Sequence, residues 1–175
     1  LEQSETLRNA QPIAVAELIS AVHQQTTQID GASERIFSLE LDPTLSIAGF
    51  AEALHSVLTN LLINAIRYTD GRDVIELRWY QDADGAHFSV KDHGIGIEEQ
   101  HLKRLTERFY RVDSGRDRSE GGTGLGLAIV KHALSLHNAT LHIESETGKG
   151  SLFRCDFPPS QIVVDSVEFK ARHAN

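Results

Sequence analysis

Hydrophobic positions along the chain switch repeatedly between the spacing of a helix and that of a strand. After Pro12, Val15, Leu18, Ile19 and Val22 fall on one face of a helix predicted over 15–29. Between Ala51 and Tyr68, Leu54, Val57, Leu58, Leu61, Leu62, Ala65 and Ile66 form a stripe wide enough to be buried. "LGLAIVKHALSLH" (125–137) gives another helix and "EEQHLKRL" (98–105) a short one. Alternation marks strands at "RIFSLELD" (35–42) and, more briefly, "LSIAG" (45–49). "DVIELRWYQ" (73–81) and "AHFSVKD" (86–92) flank the turn "DADG" and read as a hairpin. "TLHIESE" (140–146) and "SLFRCDF" (151–157) make a second hairpin around "TGKG", ending at Pro158 and Pro159. Residues 106–123 have no period, which predicts a mobile loop. The order predicts an α+β fold, a sandwich with helices on one face of a mostly antiparallel sheet.

Composition narrows the function more than the fold. At 175 residues, with 40% hydrophobic and 24% charged, the chain suits one soluble domain. A net charge of −8 argues against nucleic acid or an anionic membrane as a partner, so any anion must be held locally. Cys155 is the only cysteine and lies in an apolar run, which excludes a disulfide framework and suits a reducing compartment. No stretch reaches the roughly 20 apolar residues of a membrane span. The first residue is Leu1 rather than Met, and the chain reads as a piece of something longer. The division expected is 1–11 as a linker remnant, 12–159 as the functional domain and 160–175 as an extension.

Four segments carry candidate chemistry. Asn60 and Asn64, four residues apart, are neighbours on one face of an otherwise apolar helix. Leaving either amide unpaired would cost about 1–3 kcal/mol, so each needs local backbone or a ligand. A side-chain oxygen of Asn64 is suited to a hard cation such as Mg2+, with Arg67 and Tyr68 one turn on at the same mouth. In "DHGIGI" (92–97), Asp92 is an acceptor for an exocyclic amine, and Gly94 and Gly96 let a flat ring approach the backbone. Adenine offers that amine where guanine offers a carbonyl; an aspartate followed by glycine is also a common turn.

"GGTGLG" (121–126) spends backbone entropy just before a helix, where free amides and the positive helix end can hold a polyphosphate; the bland alternative is a hinge. Its spacing matches neither a dinucleotide fingerprint nor a P-loop, because the glycines follow a loop and Leu127 stands where a P-loop lysine is sought. The segment 103–118 carries Lys103, Arg104, Arg108, Arg111, Arg116 and Arg118 against Glu107, Asp113 and Asp117. It can fold over phosphates, with Phe109 and Tyr110 as an apolar latch, or be a solvated charge run.

In order, "NLLINAIRYT", "DHGIGI", "ERFYRVD" and "GGTGLGLAIVKH" resemble the N, G1, F and G2 boxes of the ATP-binding catalytic domain of sensor histidine kinases. The resemblance covers about residues 12–158. It implies the left-handed Bergerat ATP-binding fold shared with DNA gyrase B, the Hsp90 chaperones and the MutL proteins, a two-layer sandwich of a mixed, mostly antiparallel five-stranded sheet with about three helices on one face, with ATP and Mg2+ as cofactors. Carried over by position, it makes Asn64 the Mg2+ ligand with Asn60 beside it, and Asp92 the acceptor for the adenine amine. Gly94, Gly96 and Ile97 would shape the base pocket, and Gly122, Thr123, Gly124, Leu125 and Gly126 the phosphate side. Arg67, Arg108 and Arg111 would neutralise phosphate charge, with Tyr68, Phe109 and Tyr110 nearby. "GKGSLF" (148–153) resembles a last glycine box.

The resemblance also carries expectations about partners. The γ-phosphate would pass to a histidine on a dimerisation domain of the same kinase, and from there to an aspartate on a response regulator. The segment 106–134 is most similar to the phosphate-regulon sensors, which implies a PhoB-like regulator. The parent is then expected to be a homodimer anchored in the bacterial inner membrane, with this part cytoplasmic and monomeric by itself. None of the nine histidines is followed by an acidic residue, so the family's phosphoacceptor signature is missing, and none shows paired zinc spacing. Gyrase-like and Hsp90-like relatives carry a glutamate base four residues before the metal asparagine; Asn60 stands there and cannot take a proton. Two classes follow: a kinase module, and an adenine-gated interaction module that transfers nothing. Phe50 also stands where the family often has an acidic residue.

Overall fold

The computed structural model describes residues 10–28, 35–69, 71, 73–112 and 123–163. The two long apolar stripes form helices α1 (Val15–Thr26) and α2 (Ala51–Tyr68). Neither contains Pro or Gly, and α2 buries Leu54, Val57, Leu58, Leu61, Leu62, Ala65 and Ile66, the face its sequence predicts. The predicted helix over 98–105 contracts to α3 (Glu99–Leu102), which buries no residue and so has nothing to hold further turns. The last helix, α4, spans Gly126–Ser135. Among the described residues no helix is long and apolar enough to cross a membrane.

Strands β2 (Ile36–Leu41), β4 (Val74–Asp82), β5 (Gly85–Asp92), β6 (Thr140–Glu146) and β7 (Gly150–Phe157) make a five-stranded sheet in the order β2-β4-β5-β7-β6. Only the β2–β4 pair is parallel; the hairpins β4–β5 and β6–β7 and the central β5–β7 pair are antiparallel. Ile75, Leu77 and Trp79 of β4 meet Phe88 and Val90 of β5 and Phe153, Cys155 and Phe157 of β7 in one core with the helices. The Trp79 indole donates to the Leu45 carbonyl at 3.1 Å, so the largest core side chain leaves no orphan donor. The alternate residues face the other way and carry charge, as in the Arg78–Glu40 pair at 2.8 Å.

A second sheet was not predicted. Strands β1 (Gln11–Ala14), β3 (Ser46–Gly49) and β8 (Ile162–Val163) pair in the order β1-β3-β8. Only Ile13 of β1 is buried, and β8 has two residues, too few for either to show a period. Residues 160–163, read as the start of an extension, therefore sit inside the fold; residues 1–9 and 164–175 lie outside the described residues.

The start of α2 and the end of α4 are tied by one imidazole. His137 is fully buried; its Nε2 accepts the Phe50 N–H at 3.0 Å and its Nδ1 meets the Ala133 carbonyl at 2.8 Å. A Cβ on Gly49 would lie 2.5 Å from this ring. Among the described residues no side chain caps α2, and the Phe50 backbone is held by His137 instead.

Candidate functional site

The ends of α2, β5 and α4 converge on a cavity of about 470 Å3, within the range of small-molecule sites. Helix α2 contributes Asn60, Asn64, Arg67 and Tyr68, which its 3.6-residue period stacks along one side. Asp92 enters from the end of β5, and Gly96 and Ile97 follow it. Tyr110, Arg111, Thr123, Gly124 and Gly126 complete the part read from sequence. Gly94 and Leu125 are half-buried but not part of the lining, and Arg108 and Phe109 are exposed outside it, Phe109 at 72%. Gly121, Gly122, Arg116 and Arg118 lie outside the described residues.

Asp92 is 4% exposed, and its Oδ1 accepts the Gly94 N–H at 2.9 Å. Burial pushes its carboxyl above the usual range, while the Gly94 and Ser151 amides and nearby His93 pull it back. A side chain at 94 is excluded, since its Cβ would lie 1.8 Å from the Tyr68 carbonyl oxygen. The last turn of α2 therefore rests directly on the backbone beside Asp92, which brings the amide face and the carboxylate into one space.

The two amides differ in how they are satisfied. Asn60 Nδ2 donates to the Ser56 carbonyl at 2.8 Å, and its Oδ1 lies 2.7 Å from where a Gly126 Cβ would be. Asn60 is thus tied to its own helix and to the start of α4. Asn64, half-buried one turn later, has no hydrogen-bond partner among the described residues and lines the cavity. The reading that left local backbone and ligand open for both now separates, with backbone for Asn60 and open space for Asn64.

Gly124 has φ +70, and its Cβ would lie 2.9 Å from the Phe109 backbone. The Phe109 N–H donates to the Gly124 carbonyl at 2.9 Å, so the cationic segment's root packs on the glycine segment. With Thr123, Gly124 and Gly126 in the lining, the start of α4 borders the cavity, and a helix start offers amides without intrahelical partners.

Sequence reasoning missed His101, Leu105 and Thr147, which line the site, and named Ser151 and Phe153 only as part of the last glycine box. Ser151 had a signal in "GKGSLF"; its hydroxyl meets Ser145, which accepts the Ile97 N–H at 2.8 Å. His101 had none, because its helix is too short to show a face. A desolvated carboxylate that shares one cavity with an amide oxygen, guanidinium groups and a helix start offers partners for a base and for a polyphosphate.

Comparison with known proteins agrees with that geometry. A family model described as "Histidine kinase-, DNA gyrase B-, and HSP90-like ATPase" matches residues 49–161. The phosphate regulon sensor protein PhoR of Pseudomonas aeruginosa is 44% identical over 162 residues, covering 93% of this chain and 37% of that protein. The chain thus spans little more than a third of that relative's length. The solved mycobacterial sensor histidine kinase MprB superposes with a TM-score of 0.74 at 26% identity, covering 85% of this chain and 97% of that one. Full-length ShkA, solved in complex with AMPPNP, shares the fold with a TM-score of 0.76 at 23% identity, covering 90% of this chain and 32% of its own.

Proposed function

The chain belongs to the histidine kinase-, DNA gyrase B- and HSP90-like ATPase family, and from that premise we propose that it is the catalytic module of a two-component sensor histidine kinase. It binds Mg·ATP and delivers the γ-phosphate to a histidine on a separate dimerisation domain, for relay to a response-regulator aspartate. The observation that supports this most is the one cavity shared by Asp92, Asn64 and Gly124. The 44% identity to PhoR favours phosphate-starvation signalling, with a PhoB-like regulator and a membrane-anchored, dimeric parent.

In this reading Asp92 accepts the adenine amine. Its burial makes a mismatched carbonyl costly, which selects ATP over GTP. Arg67 and Arg111 line the same cavity and neutralise phosphate charge, and the amides at the start of α4 hold oxygens the glycines leave uncovered. Asn64 fits a cation, being half-buried in the lining without a hydrogen-bond partner among the described residues. Mg2+, when bound, supplies charge neutralisation to the phosphates. Asn64 would hold the ion through its side-chain oxygen, the donor type a hard cation prefers. Asn60 occupies the position of a hydrolytic base but is an amide already bonded to Ser56, which leaves water unactivated and the phosphoryl group for an external acceptor.

The test supplies a dimerisation domain bearing the acceptor histidine together with γ-labelled ATP. Label on that histidine is expected. Nucleotide binding without transfer would replace the kinase with an adenine-gated interaction module.

A further inference from the structure

Three contacts converge on Tyr110. Its hydroxyl is hydrogen-bonded to His101 Nδ1, its ring lies under the Arg104 guanidinium at 4.2 Å, and its N–H donates to the Glu107 carbonyl at 3.3 Å. Arg104 is itself held by Glu107 at 3.2 Å. The preceding residue, Phe109, is fastened to Gly124 through its backbone N–H. Residues 109 and 110 are therefore strung between α3 and the glycine segment, and the next residue, Arg111, lines the cavity.

We propose that Tyr110, held by His101 and Arg104, is a positioning residue that fixes the main chain so that Arg111 meets the phosphates of the bound nucleotide. An arginine on a loose segment loses backbone and rotamer freedom when it captures an anion. Anchoring the residue before it removes the backbone part of that loss before binding. Phe109 adds to the order, since φ +64 is an uncommon conformation for a residue with a Cβ and persists here under the Gly124 bond. This inference rests on the ATP reading of the cavity.

Tyr110→Phe keeps the ring beneath Arg104 and removes only the bond to His101. Mg·ATP binding by calorimetry is expected to weaken about three- to tenfold, the effect of one such bond. Adenosine, measured by competition, should bind as in the wild type, because it has no phosphate for Arg111. His101→Leu should reproduce the loss and add little to Tyr110→Phe, and Arg111→Ala should cost less in the Tyr110→Phe background than alone. Equal affinity for Mg·ATP in wild type and Tyr110→Phe overturns the proposal, as does a parallel loss of adenosine and ATP, the mark of a merely structural role. A wild type that binds adenosine and ATP equally weakly would overturn the ATP reading itself, and the proposal with it.

Discussion

The Nε2 atom of His137 accepts the Phe50 N–H at 3.0 Å while Nδ1 donates to the Ala133 carbonyl, so both nitrogens of a neutral, fully buried ring are occupied. Burial holds the pKa of His137 below its ordinary value, against the opposing pull of Ala133. The unfolded chain then takes up the proton at a higher pH than the folded one. The stabilisation is complete above the unfolded value of about 6.5 and is lost as pH falls below it. Desolvated His23 acts with the same sign. Denaturant midpoints should fall from pH 6.5 to 5.5, where the His87 contribution is already complete, and His137→Gln, which can accept and donate without titrating, should reduce that fall. His137→Ala should cost about 2–4 kcal/mol at pH 7.5 through the cavity and the orphaned Phe50 amide. An acid limb unchanged in His137→Gln would remove the ring from the explanation.

His87 predicts the opposite limb. Its side chain is 7% exposed between Asp156 at 2.6 Å and Asp82 at 2.9 Å. Burial opposes the imidazolium, but the bonds to Asp156 and then Asp82 outweigh it and raise the pKa above the ordinary value. Here the folded state holds the proton longer, so the contribution is fully present below about pH 6.5 and disappears as pH rises through the folded value. The His87 ring should titrate above 6.5 by NMR, and His87→Gln should flatten the alkaline decline in stability.

Asn64 and Asn60 share a helix face but should fail differently. Asn64→Ala is expected to weaken nucleotide binding about tenfold or more in Mg2+ and little in its absence, with the melting temperature hardly changed. Asn60→Ala removes the bond to the Ser56 carbonyl and the contact beside Gly126, and should cost about 1 kcal/mol of stability. Identical binding and melting profiles for the two variants would refute the division of roles.

Asp92→Ala should remove the preference for adenine. The wild type is expected to bind ATP at least about a hundredfold more tightly than GTP, because a buried acceptor faced with a carbonyl is left unpaired. Competition titrations with both nucleotides measure the ratio, and a ratio that survives the substitution would place base recognition elsewhere.

What could be read from sequence follows from how each feature is encoded. Helix α2 was legible to the residue because its seven buried positions form one uninterrupted stripe, and the same helix delivered Asn60, Asn64, Arg67 and Tyr68 to one side of the cavity. Of the three-stranded sheet only the middle strand, in "LSIAG", was legible; its partners β1 and β8, of four and two residues, are defined by pairing rather than by a pattern of their own. The glycines at 124 and 126 read from sequence as an anion site, yet each also has a packing reason that no sequence states: Phe109 lies against one and Asn60 against the other. Tyr110 read as part of an apolar latch, whereas its hydroxyl and ring are fixed by His101 and Arg104, a pairing visible only once α3 is placed.

Gly94 separates position from chemistry at the carboxylate. A Cβ there would come within 1.8 Å of the Tyr68 carbonyl oxygen and 3.1 Å of Asp92 Oδ1, and neither the helix end nor the strand end can yield without moving a site residue. The first contact is with backbone, so no rotamer change relieves it. Gly94→Ala should therefore push α2 and β5 apart, costing about 1–3 kcal/mol of stability and at least about tenfold in ATP affinity although Asp92 itself is intact. The Ile95 N–H, which donates to the same Tyr68 carbonyl at 3.3 Å, reports the displacement directly. Faster hydrogen exchange at Ile95 together with weaker ATP binding is the expected pair of results. Weaker binding with Ile95 as protected as in the wild type would mean that the added methyl group blocks the base, and that the spacing of helix and strand is not what holds Asp92 in place.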